Sequence, residues 1–136
     1  MRKLADKVEI LAEEDIVTAR QRGRAIAREL GFSIVDQSRI ATSISELARN
    51  IFLYAGKGTV HLRPLDNNGK PGIEIVAEDQ GPGIRDTKLA MLDGFSTSKG
   101  LGMGLPGTQR LMDEFYLNSE PGMGTKVIVI KWLSGM

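Results

Sequence analysis

The sequence predicts an α+β protein, a two-layer sandwich in which helices cover one face of a mixed, mostly antiparallel sheet of about five strands. Three observations carry this expectation. Two strand pairs carry hairpin signals, one through Asn67-Asn68-Gly69 and the other through Pro121 to Gly124. Two helical stretches precede the first pair and another precedes the second, each with apolar residues at helical spacing. The resulting order of helices, hairpin, helix and hairpin is not βαβ winding.

The first strand is expected from Lys7 to Ala12, followed by Glu13, Glu14 and Asp15, acids that suit the start of a helix. Ile16, Ala19, Gly23, Ile26, Ala27 and Leu30 give that helix a buried stripe, and Gly31 stops it. Arg20, Arg24 and Arg28 follow one another along another side and read as a solvated face, with a docking surface as the lesser alternative. Ser33 caps a second helix from Ile34 to Tyr54, whose stripe is Ile40, Ile44, Leu47, Ile51 and Tyr54. Beside that stripe lie Arg39, Ser43, Glu46 and Asn50. Glu46 and Asn50 are one turn apart, so a carboxylate and an amide project together at the rim of the core. Strands follow at Thr59 to Leu65 and Ile73 to Glu78, then a short helix at Asp86 to Leu92 and a mobile loop at Gly94 to Leu101. A helix from Leu105 to Phe115 and strands at Tyr116 to Ser119 and Thr125 to Leu133 complete the chain.

The 136 residues, 41% apolar and 26% charged, are enough for one domain spanning 1–136 with its own core. A net charge of +1 gives no footprint for nucleic acid, and the absence of cysteine excludes disulfides and thiolate chemistry. No apolar run reaches a membrane span and no signal peptide is evident, so a cytoplasmic protein is expected. His61, the only histidine, falls on a strand and reads as structural.

Glycines concentrate from Asp79 to Gly107. Gly81 and Gly83 follow an acid at the end of an apolar run, whereas Gly100, Gly102 and Gly104 precede a helix. Glycine permits close approach to a ligand, and backbone N–H groups running into a helix N-terminus cradle anions. These features point to a nucleotide, with Asp79 at the base end and the second glycine loop at the phosphates. A P-loop run and the H-R-D and D-F-G runs of ordinary protein kinases are all missing from the sequence.

Four motifs in order resemble those of the GHKL, or Bergerat-fold, ATPases. Glu46-Leu-Ala-Arg-Asn50 is similar to the N box, Asp79-Gln-Gly81-Pro-Gly83 to the first glycine box, Gly100-Leu101-Gly102-Met103-Gly104 to the second, and Gly122-Met-Gly-Thr125 to the last. The stretches ISELARN, YAGKG and DGFSTSKGLGMGLPG resemble one branch, the RsbT-type serine-protein kinases of the stressosome, relatives of the anti-sigma-factor kinases. Where that sister branch has an arginine before the second box, this chain has Lys99.

The resemblance implies an ATP- and Mg²⁺-dependent kinase acting on a serine or threonine of a STAS-domain stressosome protein. Once released, such a kinase activates a PP2C-type phosphatase. It assigns Glu46 as general base, Asn50 as metal ligand, Asp79 as adenine reader, Lys99 and Gly100 to Gly104 as the phosphate loop, and Thr125 to the nucleotide site. The competing expectation is a nucleotide-dependent binding switch that sequesters a regulator such as a sigma factor. Simple ATP hydrolysis ranks below both.

Overall fold

The computed structural model describes residues 5–81, 104–120 and 122–134. Its elements are β1 (Asp6–Ile10), α1 (Glu14–Leu30), α2 (Ile34–Tyr54), β2 (Gly58–Asn67), β3 (Lys70–Asp79), α3 (Gly104–Leu111), β4 (Glu114–Glu120) and β5 (Gly124–Trp132). The short helix expected at Asp86 to Leu92 and the loop expected at Gly94 to Leu101 lie outside the described residues.

The strands form one sheet in the order β1-β2-β3-β5-β4, and every neighbouring pair is antiparallel. The expected mixed sheet is therefore corrected. β3 and β4 do run in the same direction, but β5 inserts between them and pairs antiparallel with each, so the described sheet contains no parallel pair. The β2–β3 hairpin turns through Asn68 and Gly69, both with positive φ (55° and 88°), the conformation its strand twist favours.

Side-chain alternation sends Val8, Ile10, Val60, Leu62, Ile73, Ile75, Ala77, Val127 and Val129 to one buried face. The helices cover that face. α1 carries acids in its first turn, where the Asp15 carboxylate accepts the N–H groups of Leu11 and Ala12 at 2.9 Å each. It stops at Gly31, whose N–H reaches the carbonyls of Ala27 and Arg28. The Ser33 hydroxyl accepts the Asp36 N–H at 3.1 Å and starts α2, as its sequence predicts. Ile40, Ile44, Leu47 and Ile51 form the buried stripe of α2, each such residue contributing about 1.5–3 kcal/mol of burial. Tyr54, expected on that stripe, is 44% exposed, because it is the last residue of α2.

The third helix is shorter than its apolar spacing suggests. It ends at Leu111 instead of Phe115, and Phe115 lies in β4, where it pairs with Val129 of β5. β5 takes the backbone over at that point: the Asp113 N–H donates to the Ile130 carbonyl at 2.9 Å, and the Trp132 N–H donates to the Asp113 carboxylate at 2.7 Å. Among the described residues, no helix is long and apolar enough to cross a membrane.

α1 crosses α2 at Gly23, where an added Cβ would meet Cδ1 of Ile44. Gly23→Val is expected to destabilise the protein by about 1–3 kcal/mol, because the buried face has no room for three more carbons. Ala25→Val, on the exposed side of the same helix, should cost only its helix propensity, about 0.7 kcal/mol. Urea unfolding of the two variants measures the contrast.

Candidate functional site

β3 delivers Asp79 to the C-terminal end of its strand, opposite Thr125 of β5 and one residue past the Thr59–Glu78 pair with β2. Glycines surround it. A Cβ at Gly58 would lie 2.6 Å from the Glu78 carbonyl oxygen and 3.0 Å from the Asp79 Cβ. A Cβ at Gly81 would lie 2.6 Å from that of Ala55, the residue that ends α2. At Gly124, where φ is 88°, a Cβ would collide with the Asp79 carbonyl oxygen. Two neighbouring strands, the end of α2 and the loop after β3 thus close on Asp79, and only residues without side chains let them do so.

The Asp79 carboxylate is half-buried, and its Oδ1 accepts the Gly81 N–H at 2.9 Å. Burial pushes its pKa up from the ordinary 3.8, while the N–H groups of Gly81 and Thr125 act against that rise. A carboxylate held like this offers acceptor oxygens in a confined place and suits a ligand amino group. Thr125, also assigned to the site, shares a 2.8 Å hydroxyl contact with Ser119, whose hydroxyl donates to the Gly124 carbonyl at 3.1 Å.

The other two named groups stand on α2. Ala55 marks the Asp79 end of the helix, and a rise of 1.5 Å per residue puts Asn50 ~7.5 Å and Glu46 ~13.5 Å farther along its axis. Asn50 and Glu46 are thus set at successive heights along the α2 axis from the end that meets Asp79. Glu46 is only 3% exposed, and its Oε2 lies 3.4 Å from the Arg49 guanidinium one turn away. A carboxylate so buried needs partners, and Arg49 is one of them. Asn50 is half-buried beside it. On the same side, one turn earlier, the fully buried Ser43 hydroxyl has no hydrogen-bond partner among the described residues, and neither has that of Ser45.

Gly104 opens α3, which packs on α2 and whose Leu105 and Thr108 are buried. This brings the helix after the second glycine box against the helix of the N box. Gly83, Lys99, Gly100, Leu101, Gly102 and Met103 lie outside the described residues. His61 bonds Glu78 at 3.1 Å, next in the chain to Asp79, yet strand alternation turns that pair to the opposite face of the sheet. Sequence reasoning missed Arg49 and Gly58. The i,i+3 spacing from Glu46 was the signal for the first; Gly58, between the second helix and the strand at Thr59, carried no local signal of its own.

Among the described residues there is no cluster of three His, Cys, Asp or Glu side chains that would hold a metal. That donor set does not suit an all-protein cage. A single amide such as Asn50 suits Mg²⁺, which keeps several waters and draws the rest of its shell from phosphates.

Residues 35–134 match the family of histidine kinase-, DNA gyrase B- and HSP90-like ATPases. The chain is 63% identical over 126 residues to the serine/threonine-protein kinase RsbT of Bacillus subtilis, covering 93% of this chain and 95% of that protein. It is 33% identical over 115 residues to the anti-sigma F factor of Caldanaerobacter subterraneus, covering 80% of this chain and 79% of that one. Among solved structures, it superposes with a TM-score of 0.60 on a crystal structure of RsbU and RsbW domains from Mycobacterium tuberculosis. That match is 18% identical and covers 93% of this chain and 32% of the other.

The raised Asp79 pKa sets a pH test. A carboxyl whose folded pKa lies above its unfolded value costs stability while ionised, and the cost disappears as pH falls through the folded pKa toward 3.8. Melting temperatures of wild type and Asp79→Asn, compared from pH 7 to pH 4, are expected to shift in favour of wild type as pH falls. Carboxylates common to both proteins cancel in the difference.

Proposed function

The chain belongs to the family of histidine kinase-, DNA gyrase B- and HSP90-like ATPases, and on that premise we propose how its residues carry out phosphoryl transfer. The activity is that of an ATP-binding serine/threonine-protein kinase of a stress-response pathway. The observation that carries the proposal is Asp79, half-buried among Gly58, Gly81 and Gly124 at the end of α2, the helix that bears Asn50 and Glu46.

Asp79 accepts the adenine 6-amino group. Guanine, with a carbonyl at that position, would set acceptor against acceptor, so the site selects ATP. Gly81 and Gly83 let the backbone follow the nucleoside closely, and Thr125 adds a hydroxyl from β5. Lys99 and the Gly100-Leu101-Gly102-Met103-Gly104 run hold the phosphates ahead of the α3 N-terminus, where N–H groups favour anions. Asn50 would hold Mg²⁺ through its amide oxygen, and the ion would supply neutralisation of phosphate charge.

Glu46 takes the proton from the acceptor hydroxyl as the oxygen bonds the γ-phosphorus and the bond to the ADP oxygen breaks. Arg49 fixes the direction in which the Glu46 carboxylate turns. Burial of Glu46 limits the access of bulk water to the base. The acceptor is a serine or threonine of a STAS-domain stressosome protein. The released kinase then activates a PP2C-type phosphatase, all within one cytoplasmic kinase domain.

Similarity to an anti-sigma F factor supports a second reading, a nucleotide-dependent switch that sequesters a regulator with little catalysis. Glu46 separates the two. Glu46→Gln keeps the size of the side chain and removes the base, so transfer of labelled γ-phosphate from ATP to a STAS-domain protein encoded beside this one should fall by about 10²–10⁴-fold. ATP affinity should stay within about twofold of wild type. Undiminished transfer contradicts the assignment of the base, and undetectable transfer by the wild type with intact partner binding favours the switch.

A further inference from the structure

Ile34 and Val35 open α2 with side chains 74% and 58% exposed, whereas Ile40, Ile44, Leu47 and Ile51 of the same helix are buried. The helix does not need them to start: Ser33 caps it and Asp36 supplies the acid of its first turn. Exposed aliphatic side chains scattered singly are ordinary, but these two converge on one concavity. With Ser38, Arg39, Thr42 and Leu111, the last residue of α3, they line an open groove of about 410 Å³.

The groove offers no unbalanced charge. Its one charged side chain, Arg39, holds the Asp36 carboxylate at 2.8 Å; Lys131 lies 3.9 Å from the same carboxylate and 3.5 Å from that of Asp113. Two cations and two anions thus compensate one another, and Arg39 contributes its aliphatic stem to the lining. What such a groove rewards is the burial of an apolar side chain.

Its place in the fold says which one. Val35, Arg39, Thr42 and Glu46 follow at i, i+4, i+7 and i+11, a single stripe of α2, so the groove is continuous along the helix with the base. Thr42 lies ~6 Å and Val35 ~16.5 Å from Glu46 along the axis. An acceptor hydroxyl has to reach Glu46, and an extended chain advances ~3.3 Å per residue. From Glu46 it therefore passes Thr42 after about two residues and Val35 after about five.

We propose that the groove between α2 and the end of α3 is an acceptor subsite, holding an apolar side chain about two to five residues from the serine or threonine that is phosphorylated. Anchoring the acceptor beside the reacting hydroxyl supplies selectivity and holds that hydroxyl at the base. The identity of the occupant rests on the kinase reading and on Glu46 as base; the apolar chemistry of the groove does not.

The test uses the full chain with ATP, Mg²⁺ and the STAS-domain protein encoded beside it, measuring transfer of labelled γ-phosphate and direct binding by calorimetry. The groove variant is Ile34→Gln/Val35→Gln, and the control is Leu11→Gln, 60% exposed and outside the groove. Both replaced side chains of the groove variant are exposed, so it should melt like wild type. It should keep kcat at saturating acceptor and KM for ATP, while KM and Kd for the acceptor rise about tenfold or more. On the acceptor, each apolar residue within five positions of the labelled hydroxyl is changed singly to alanine. One of these changes should raise KM with the wild-type kinase and add little with the groove variant, the coupling expected of side chains in contact. Leu11→Gln should match wild type throughout.

Groove-dependent binding without transfer by wild type would sustain the subsite and contradict the kinase reading. Transfer with unchanged acceptor KM and Kd in the groove variant would overturn the subsite and leave the kinase reading standing. Additive losses from the two partners would also overturn it, as would a groove variant impaired only in self-association or only in activating a PP2C-type phosphatase.

Discussion

The close approach of backbone to backbone around Asp79 is the constraint on which the rest of the site depends. Gly58 lies against the Glu78 carbonyl, Gly124 against that of Asp79, and Gly81 against Ala55. A methyl group at any of these positions would push a strand, or the end of α2, away from the carboxylate. Backbone contacts of this kind cannot relax by rotating a side chain. The arrangement also explains the raised pKa of Asp79: neighbouring backbone displaces water, and the N–H groups of Gly81 and Thr125 only partly replace it. A carboxylate kept short of solvation gains from a donor that arrives with the ligand.

α2 extends this geometry toward Asn50 and Glu46, the groups proposed for metal binding and proton transfer. Its stripe of Ile40, Ile44, Leu47 and Ile51 locks it on the sheet, so the orientations of Glu46 and Asn50 are set by the core and not by local flexibility. Glu46 is almost completely covered yet partnered by Arg49, which makes its burial sustainable. α3 packs against α2, so the core also holds the helix that follows the second glycine box.

Much of this was legible in the sequence where one physical signal dominated. α2 begins and ends as its Ser33 cap and apolar stripe predict, and Gly31 terminates α1 in the left-handed conformation. The order and type of the described elements followed from helical spacing and from turn chemistry at Asn68-Gly69 and Gly122 to Gly124. Two failures came from non-local pairing. The Leu105, Met112 and Phe115 spacing fits a helix, but capture of Asp113 and Phe115 by β5 ends α3 early. The all-antiparallel sheet depends on β5 entering between β3 and β4, which local patterning does not encode. At the site, Asp79, Gly81, Glu46 and Asn50 were visible as motif residues. Gly58 was not, because its role is to leave space for a strand distant in sequence.

The central claim is that Asp79 reads the amino group of adenine. Calorimetric titration with ATP and with purine riboside triphosphate, which differs only in lacking the 6-amino group, tests it most directly. Loss of one hydrogen bond to a half-buried carboxylate should weaken binding by about 10–100-fold. Equal affinities would place the base elsewhere and contradict the account.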